Sequence, residues 1–311
     1  NLKNIVHSLS SSINVQDAIL EFSDSFEKIK EESTQVEQFL SSDLSIYYNK
    51  HYLDNINTYI PNSKTKRELS EYLPKDYDSK VSQDNYINRN PFKVGEKDKL
   101  LKGYEKLTYN EVHEKYHGYL KTELKRYFFY DLFLINKNGD IVYSVDKEVD
   151  FATNLENGVF SKSKLAQIYK KAKNIKEGEI VFEDYSPYEP SYNSPAAFLG
   201  QGIYKNGKFL GVLAVQIPTS EIDEIMSFKN KRLEAGLGKS GEIYLVGEDK
   251  LMRSNSRFTS DSENRYIRKS ANSVGITKVD SYSVNEGLKG NRGTALIKDY
   301  RGIQVFSAYL P

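Results

Sequence analysis

Apolar residues recur three or four apart from the start of the chain: Leu2, Ile5, Leu9 and Ile13, then Ile19, Phe22, Phe26 and Ile29, then Val36, Phe39, Leu40, Leu44 and Tyr47. This is the period of an amphipathic helix, and no proline interrupts it before Pro61. The pattern predicts helix over about residues 2–60, where a single helix of about 50 residues would be roughly 75 Å long at 1.5 Å per residue, with "EEST" (31–34) as the place where it could break. A helix of that length cannot bury its own apolar stripe and needs a partner helix or the rest of the chain. Residues 61–98, punctuated by Pro61, Pro74 and Pro91, read as irregular connections with short helices, and 107–126 return to helix.

From Tyr130 the period changes to two. "YDLFLINKNGDIVYS" reads as strand, turn, strand, because Asn138-Gly139 supplies the residues that a tight hairpin turn favours. Residues 163–174 read as a short helix. "EIVFEDYSPY", "PAAFLGQGIYKNGK" and "FLGVLAVQIP" follow as strands, with Asn206-Gly207 as a second hairpin turn. Helix is expected again over 219–234, then a strand pair over 241–254 and another in "GTALIKDYRGIQVFSAYLP". Overlaying the segments exposes a repeat: "FLINKNGDIVYS" (133–144) matches "YLVGEDKLMRS" (244–254), and "AVQIP" (214–218) matches "SAYLP" (307–311). One module built on antiparallel strands thus occurs twice, the second copy shorter. The expected class is α+β, with a long N-terminal helix and helical lead-in (1–126) followed by modules at 127–235 and 236–311, the last cut short at its C-terminus.

Composition narrows the function classes. Lys and Arg number 44 against 43 Asp and Glu, a net charge of +1, which gives no electrostatic case for nucleic acid. The absence of cysteine removes disulfides, thiol catalysis and cysteine zinc sites. With 24 Tyr and 15 Phe a large aromatic core is available. No run of about 18 apolar residues exists to span a membrane, and no signal peptide is visible. The chain opens on Asn1 and reads as a trimmed fragment.

Three patterns invite a chemical reading. His113, Glu114 and His117 spell H-E-x-x-H, which on a helix sets two imidazoles on one face beside a carboxylate, as in zinc peptidases. Against this, Lys115 sits between the ligands and no histidine follows His117 to complete the site. A metal-binding protein or zinc metallopeptidase using His113 and His117 remains the alternative reading. "GLGKSG" (236–241) has dinucleotide-site spacing, but a helix precedes it and a strand follows, the reverse of what phosphate binding at a helix N-terminus needs; Leu233 stands where a P-loop needs glycine. No G-x-S-x-G elbow occurs. The third pattern is polar residues inside apolar strands: Asp131 within "YFFYDLFLI", and Asp184, Tyr185 and Tyr188 in "FEDYSPYEP". A carboxylate in a buried strand must be paired or carry a shifted pKa. These residues either line a small-molecule pocket or are satisfied structurally.

Taken together, "FYDLFLINKNGDIVYS" (129–144), "DFATNL" (150–155), "EDYSPYEPSYNSPAAFLG" (183–200), "GLGKSGEIYLVGEDKLMRSNSRF" (236–258) and "DYRGIQVFSAYLP" resemble the double Cache domains, tandem PAS-like modules, of bacterial methyl-accepting chemotaxis proteins and related receptor kinases and cyclases. The resemblance implies a periplasmic, non-enzymatic sensor without a cofactor. It would bind a small molecule in its membrane-distal module (127–235), pair as a homodimer through the N-terminal helix, and reach the membrane through flanking helices outside this chain. It implies ligand contacts among Asp131, Tyr143, Asp184, Tyr185, Tyr188, Phe198 and His117. Amino-acid-binding members commonly use Arg and Trp in that pocket. This chain has no Trp, and no Arg between Tyr127 and Asn230, so amino-acid sensing is not supported and a neutral or cationic ligand is expected.

Overall fold

The structure, a computed structural model, describes residues 2–58, 66–229, 231, 233–238, 240–263, 267–268 and 271–311. The chain divides into two compact units, one of Asn1–Asp184 with Tyr188–Ile217 and the other of Tyr185–Pro187 with Pro218–Pro311.

The first unit begins with helices, but not with one long helix. The segment is broken into α1 (Leu2–Ser10), α2 (Ile13–Glu27), α3 (Ile29–Glu32) and α4 (Glu37–Tyr47). Serines make the first break: the Ser12 hydroxyl caps α2 by accepting from the Val15 N–H at 3.3 Å while donating to the Leu9 carbonyl at 2.8 Å. The break near "EEST" falls at residues 33–36, where the backbone is extended at Ser33 and Val36. There Ser33 Oγ donates to Glu105 Oε2 at 2.9 Å, and the Tyr77 hydroxyl to the Gln35 carbonyl at 2.8 Å. Broken this way, the helices bury their apolar stripe on their own unit. Helix α1 packs on the sheet, and α2 packs on α8 (Thr108–Arg126) and the sheet. Val6, Val15, Ile19, Phe22 and Ile29 are wholly buried as a result.

After α4 come a π-helical turn (Tyr48–Leu53) and α5 (Asp54–Asn57); Pro61 and the expected helix end lie outside the described residues. Short helices α6 (Leu69–Tyr72) and α7 (Tyr77–Gln83) and a second π-helical turn (Asp84–Asn88) precede α8. The sheet then forms from β1 (Asp131–Asn136), β2 (Ile141–Ser144), β3 (Ile180–Tyr188), β4 (Ser194–Lys205) and β5 (Lys208–Ile217), in the order β2-β1-β5-β4-β3. The β1–β2, β1–β5 and β4–β5 pairs are antiparallel, so the class is α+β as expected. Strands β1 and β5 are buried at successive positions, with α2 and α8 against β1 and α1, α2 and α9 against β5, which is why "LFLI" and "VLAV" are continuous rather than alternating. Asn206 and Gly207, both at positive φ, make the β4–β5 turn. Helix α9 (Lys164–Ala172) packs on β4 and β5, closely enough that a Cβ on Gly200 would sit 2.2 Å from Ile168 Cγ2.

In the second unit α10 (Ser220–Met226) is shorter than the helix expected over 219–234; Phe228 and Lys229 take positive φ just after it. The expected strand pair at 241–254 is not a ladder. Among the described residues it holds isolated bridges, Val246 to Met252 and Leu251 to Lys278, around a turn at Gly247–Lys250. Residues 241–250 are all at least partly exposed, so no apolar layer extends the pairing. Lys239 of the glycine-rich link lies outside the described residues. Helix α11 (Tyr282–Leu288) leads into β6 (Gly293–Lys298) and β7 (Gln304–Tyr309), an antiparallel pair without a fully buried residue.

Candidate ligand-binding site

Asp131 opens β1 opposite Gln216 of β5, and the segment leaving β2, "VDKEVDFAT" (145–153), folds over it. Asp131 Oδ1 accepts from the N–H groups of Leu132 (2.7 Å), Val145 (2.9 Å) and Asp146 (3.1 Å), which fixes the start of that loop. Its other oxygen is buried with no partner among the described residues. Burial, and then repulsion from Asp146, Asp150 and Glu148, push the Asp131 carboxyl well above the usual range.

The loop contributes three more carboxyls. Burial pushes Asp146 and Asp150 each up to about 6 and Glu148 up to about 8, with repulsion from Asp98 adding to it at Asp146, from Asp146 at Asp150, and from Asp150 and Asp146 at Glu148. Glu148 accepts from the Tyr130 hydroxyl at 2.9 Å and from Ser191 Oγ, and Ser191 Oγ in turn accepts from Gln216 Nε2 at 3.3 Å. The Tyr188 hydroxyl donates to Asp150 Oδ2 at 2.5 Å. Asp150 Oδ1 and Gln216 Oε1 are left buried without partners among the described residues. In the midst of these acids Lys147 is 1% exposed. Burial lowers its ammonium to about 7, against the pull of Asp131, Asp146 and Asp98.

Helices hold this loop in place. Gln83 of α7 donates through Nε2 to the carbonyls of Val149 (3.1 Å) and Phe151 (2.8 Å), and its Oε1 accepts from the Tyr48 hydroxyl at 2.8 Å. Tyr52 donates to the Glu189 carbonyl (3.2 Å) and Tyr192 to that of His51 (3.1 Å), tying the first π-helical turn to the β3–β4 connection. Single-turn π segments are frequent at functional sites. Non-glycine residues at positive φ cluster here too: Lys147 (54°) and Ala152 (60°) in the loop, Tyr192 (55°) and Asn193 (59°) across from it. A narrow cleft with about 10 Å³ of room, enough for roughly one water, opens between Tyr47, Lys97, Asp146, Lys147, Glu148 and Tyr192.

Of the residues singled out from sequence, Asp131 and Tyr188 meet in this cluster. Tyr143 lies at its margin, its ring 4.2 Å from the Lys147 ammonium and its hydroxyl 2.7 Å from His117 Nδ1. Phe198 belongs to the core, packed on Tyr188 and Phe133. Tyr185 donates to the Pro218 carbonyl at 2.9 Å. Asp184 is half-exposed, and the alternation of β3 places it on the opposite face from buried Glu183 and Tyr185. Sequence reasoning passed over Asp146, Lys147 and Glu148 because "DKEVD" after a strand reads as a solvated turn. Gln216, a polar residue inside "VLAVQIP", carried the same signal as Asp131.

The H-E-x-x-H is a packing motif. His113 and His117 stack at 4.5 Å; His113 Nδ1 lies 2.8 Å from the Leu101 carbonyl, and His117 Nε2 lies 2.7 Å from the Asp98 carbonyl. Both nitrogens of His117 are therefore engaged by protein. Burial, then the charge of Lys147, drives His117 down to about 3 and His113 well below its usual value, so both stay neutral. Glu114 faces out to Lys102 at 2.8 Å. Among the described residues no group of three or more His, Asp or Glu side chains is placed to hold a metal ion, and the zinc reading falls.

No family model and no curated protein matches the chain. Its structural neighbours are sensor domains. The ligand-binding domain of the Campylobacter jejuni chemoreceptor Tlp3, solved with 4-methylisoleucine, is 11% identical, with 89% of this chain and 82% of that one covered and a TM-score of 0.35. The sensor domain of the V. cholerae histidine kinase DctB is 12% identical over 68% of this chain and 67% of that one, TM-score 0.33. The ligand-binding domain of the Pseudomonas fluorescens chemoreceptor CtaA, in complex with L-serine, is 14% identical over 70% and 74%, TM-score 0.30. No helix among the described residues is long and apolar enough to cross a membrane.

Proposed function

We propose that the chain is the extracytoplasmic small-molecule-sensing part of a transmembrane signal transducer, and that its ligand is neutral or cationic and sits against the acids of the first unit. The observation that carries this is the set of three buried oxygens without hydrogen-bond partners among the described residues, Asp131 Oδ2, Asp150 Oδ1 and Gln216 Oε1, in one cluster of interacting groups beside a narrow cleft. An unsatisfied buried polar group costs roughly 1–3 kcal/mol. A ligand bearing N–H donors or positive charge would recover that cost, whereas a carboxylate ligand would add to it. Such a ligand acts on signalling only through its differential affinity for two arrangements of the protein. The π-helical turn that joins the cleft to α4 is the element through which the N-terminal helices would feel it. Pairing of two copies would use the stripe left exposed there, Val36, Phe39 and Ile46.

Calorimetry against matched panels of amines, neutral heterocycles and carboxylates tests the reading, repeated with Asp131→Asn, Asp150→Asn and, as a control on the outer face of β3, Asp184→Asn. The first two substitutions are expected to weaken the best ligand at least tenfold and the third to leave it unchanged. A dicarboxylate emerging as the tightest ligand, indifferent to the first two substitutions, sinks it.

A further inference from the structure

The lysine at the centre of the acids is not placed as a surface residue would be. Lys147 holds a left-handed backbone, a conformation that glycine or asparagine would adopt at lower cost. Its ammonium donates to the Ser144 carbonyl and lies 4.2 Å from the ring centre of Tyr143, 5.0 Å from that of Phe151 and 5.6 Å from that of Tyr86. Three ring faces around one ammonium is the arrangement that recognises organic cations. Lys147 also lines the narrow cleft, between Asp146 and Glu148, so its way out lies past these two residues and needs the loop to open.

We propose that the Lys147 ammonium is a tethered stand-in for the sensed molecule, and that a primary or methylated alkylammonium ion takes its place in the box of Tyr86, Tyr143 and Phe151. The proposal rests on the reading of the acidic cluster as a ligand site. It adds to that reading the ligand class and the competitor that sets the threshold. The incoming cation takes over the ring faces and the unpartnered oxygens of Asp131 and Asp150. Lys147 moves outward past Asp146 and Glu148 as the loop opens, and its backbone is released from the left-handed region.

The test compares wild type, Lys147→Ala and Lys147→Met, titrated with butylammonium and tetramethylammonium chloride at constant ionic strength, by calorimetry and by thermal melting, with sodium chloride as the control salt. Alanine leaves the box open; methionine fills it without charge. The alanine variant is expected to bind at least one of the two ions tenfold or more tighter than wild type, with a matching rise in Tm, and the methionine variant to show neither. An alanine variant that binds no better than wild type overturns the proposal, and so does one that is unfolded in sodium chloride and not restored by either ion. If wild type responds to amines while the alanine variant gains nothing, the stand-in is lost and the sensing reading survives. A wild type that ignores every amine while the alanine variant binds them keeps the box and removes the sensing reading.

Discussion

Replacing Glu148 by glutamine should flatten the pH dependence of stability. The carboxyl is buried, with the Tyr130 and Ser191 hydroxyls as partners, and is held near 8 against an ordinary 4.5. A raised folded-state pKa means that the folded protein binds the proton more tightly than the unfolded chain does. The resulting stability is fully present below 4.5 and is lost as the pH rises toward 8. At about 1.4 kcal/mol per pH unit, the loss across that window is about 5 kcal/mol at most, and solvent relaxation around a real buried site brings it to roughly 2–3 kcal/mol. Asp146 and Asp150, held near 6, lose stability in the same direction between 3.8 and 6. Lys147 works the other way: its folded pKa of about 7 lies below the ordinary 10.5, so its contribution is lost as the pH falls and recovers only between 7 and 10.5. The buried His113 and His117, lowered from 6.5, also work the other way as the pH rises toward 6.5, so wild type should lose stability most steeply between about pH 4.5 and 6, where the three acids act together. Glutamine keeps an acceptor for one hydroxyl and has no charge to bury. Glu148→Gln should match wild type within about 1 kcal/mol at pH 5 and exceed it by roughly 2–3 kcal/mol at pH 9. Urea denaturation at five pH values from 5 to 9 measures this. Parallel stability profiles for the two proteins would refute the burial of a charge-averse carboxyl at 148.

Gly200→Ala puts a methyl 2.2 Å from Ile168 Cγ2, and the forced separation of α9 from β4 should cost about 1–3 kcal/mol; an unchanged melting temperature would show that the helix does not press on the sheet there. His113→Ala removes a fully buried ring packed on Phe22, Tyr86 and His117 and should cost about 2–5 kcal/mol by cavity formation. Protein purified without added metal should contain no stoichiometric zinc by elemental analysis in either form, and zinc present in wild type but absent from the variant would restore the metal reading.

Much of the architecture was written in local signals. The strands of the first unit follow from "LFLI" and "VLAV" bounded by Asn-Gly turns, and α8 and α9 from their apolar spacing, because in each case the local preference and the tertiary environment agree. The helix over 2–60 failed on this ground. Its apolar period continues through Ser10–Ser12, where the Ser12 cap breaks it, and through 33–36, where only the polar contacts made by distant residues, Glu105 and Tyr77, reveal that the chain turns. The second unit failed in the opposite sense: "GEIYLVGEDKLMRS" alternates well enough for a hairpin, yet no layer covers it. At the site, Asp131 was legible because a carboxylate in an apolar strand is anomalous wherever it lands. Glu148 and Lys147 were not, because a charged run after a strand is ordinarily solvated, and its burial here depends on Gln83, Tyr48 and Tyr192 arriving from elsewhere in the chain.

That burial is costly, and the location of the cost is informative. Of the seven buried side-chain atoms without a partner among the described residues, three belong to Asp131, Asp150 and Gln216. The positive-φ residues Lys147 and Ala152 lie in the same loop. Asparagine at 131 would keep an oxygen for the three backbone N–H groups that fix the loop and would shed the charge; glycine at 147 would relieve the backbone. Neither relief concerns the fold, since the sheet register and the helix packing do not depend on a charge at either position. Strain and unmet hydrogen-bonding capacity meeting around one loop is the pattern of a site whose stability has been exchanged for function. On the proposed reading the missing contribution is the ligand's: N–H donors and positive charge presented to oxygens left without partners among the described residues.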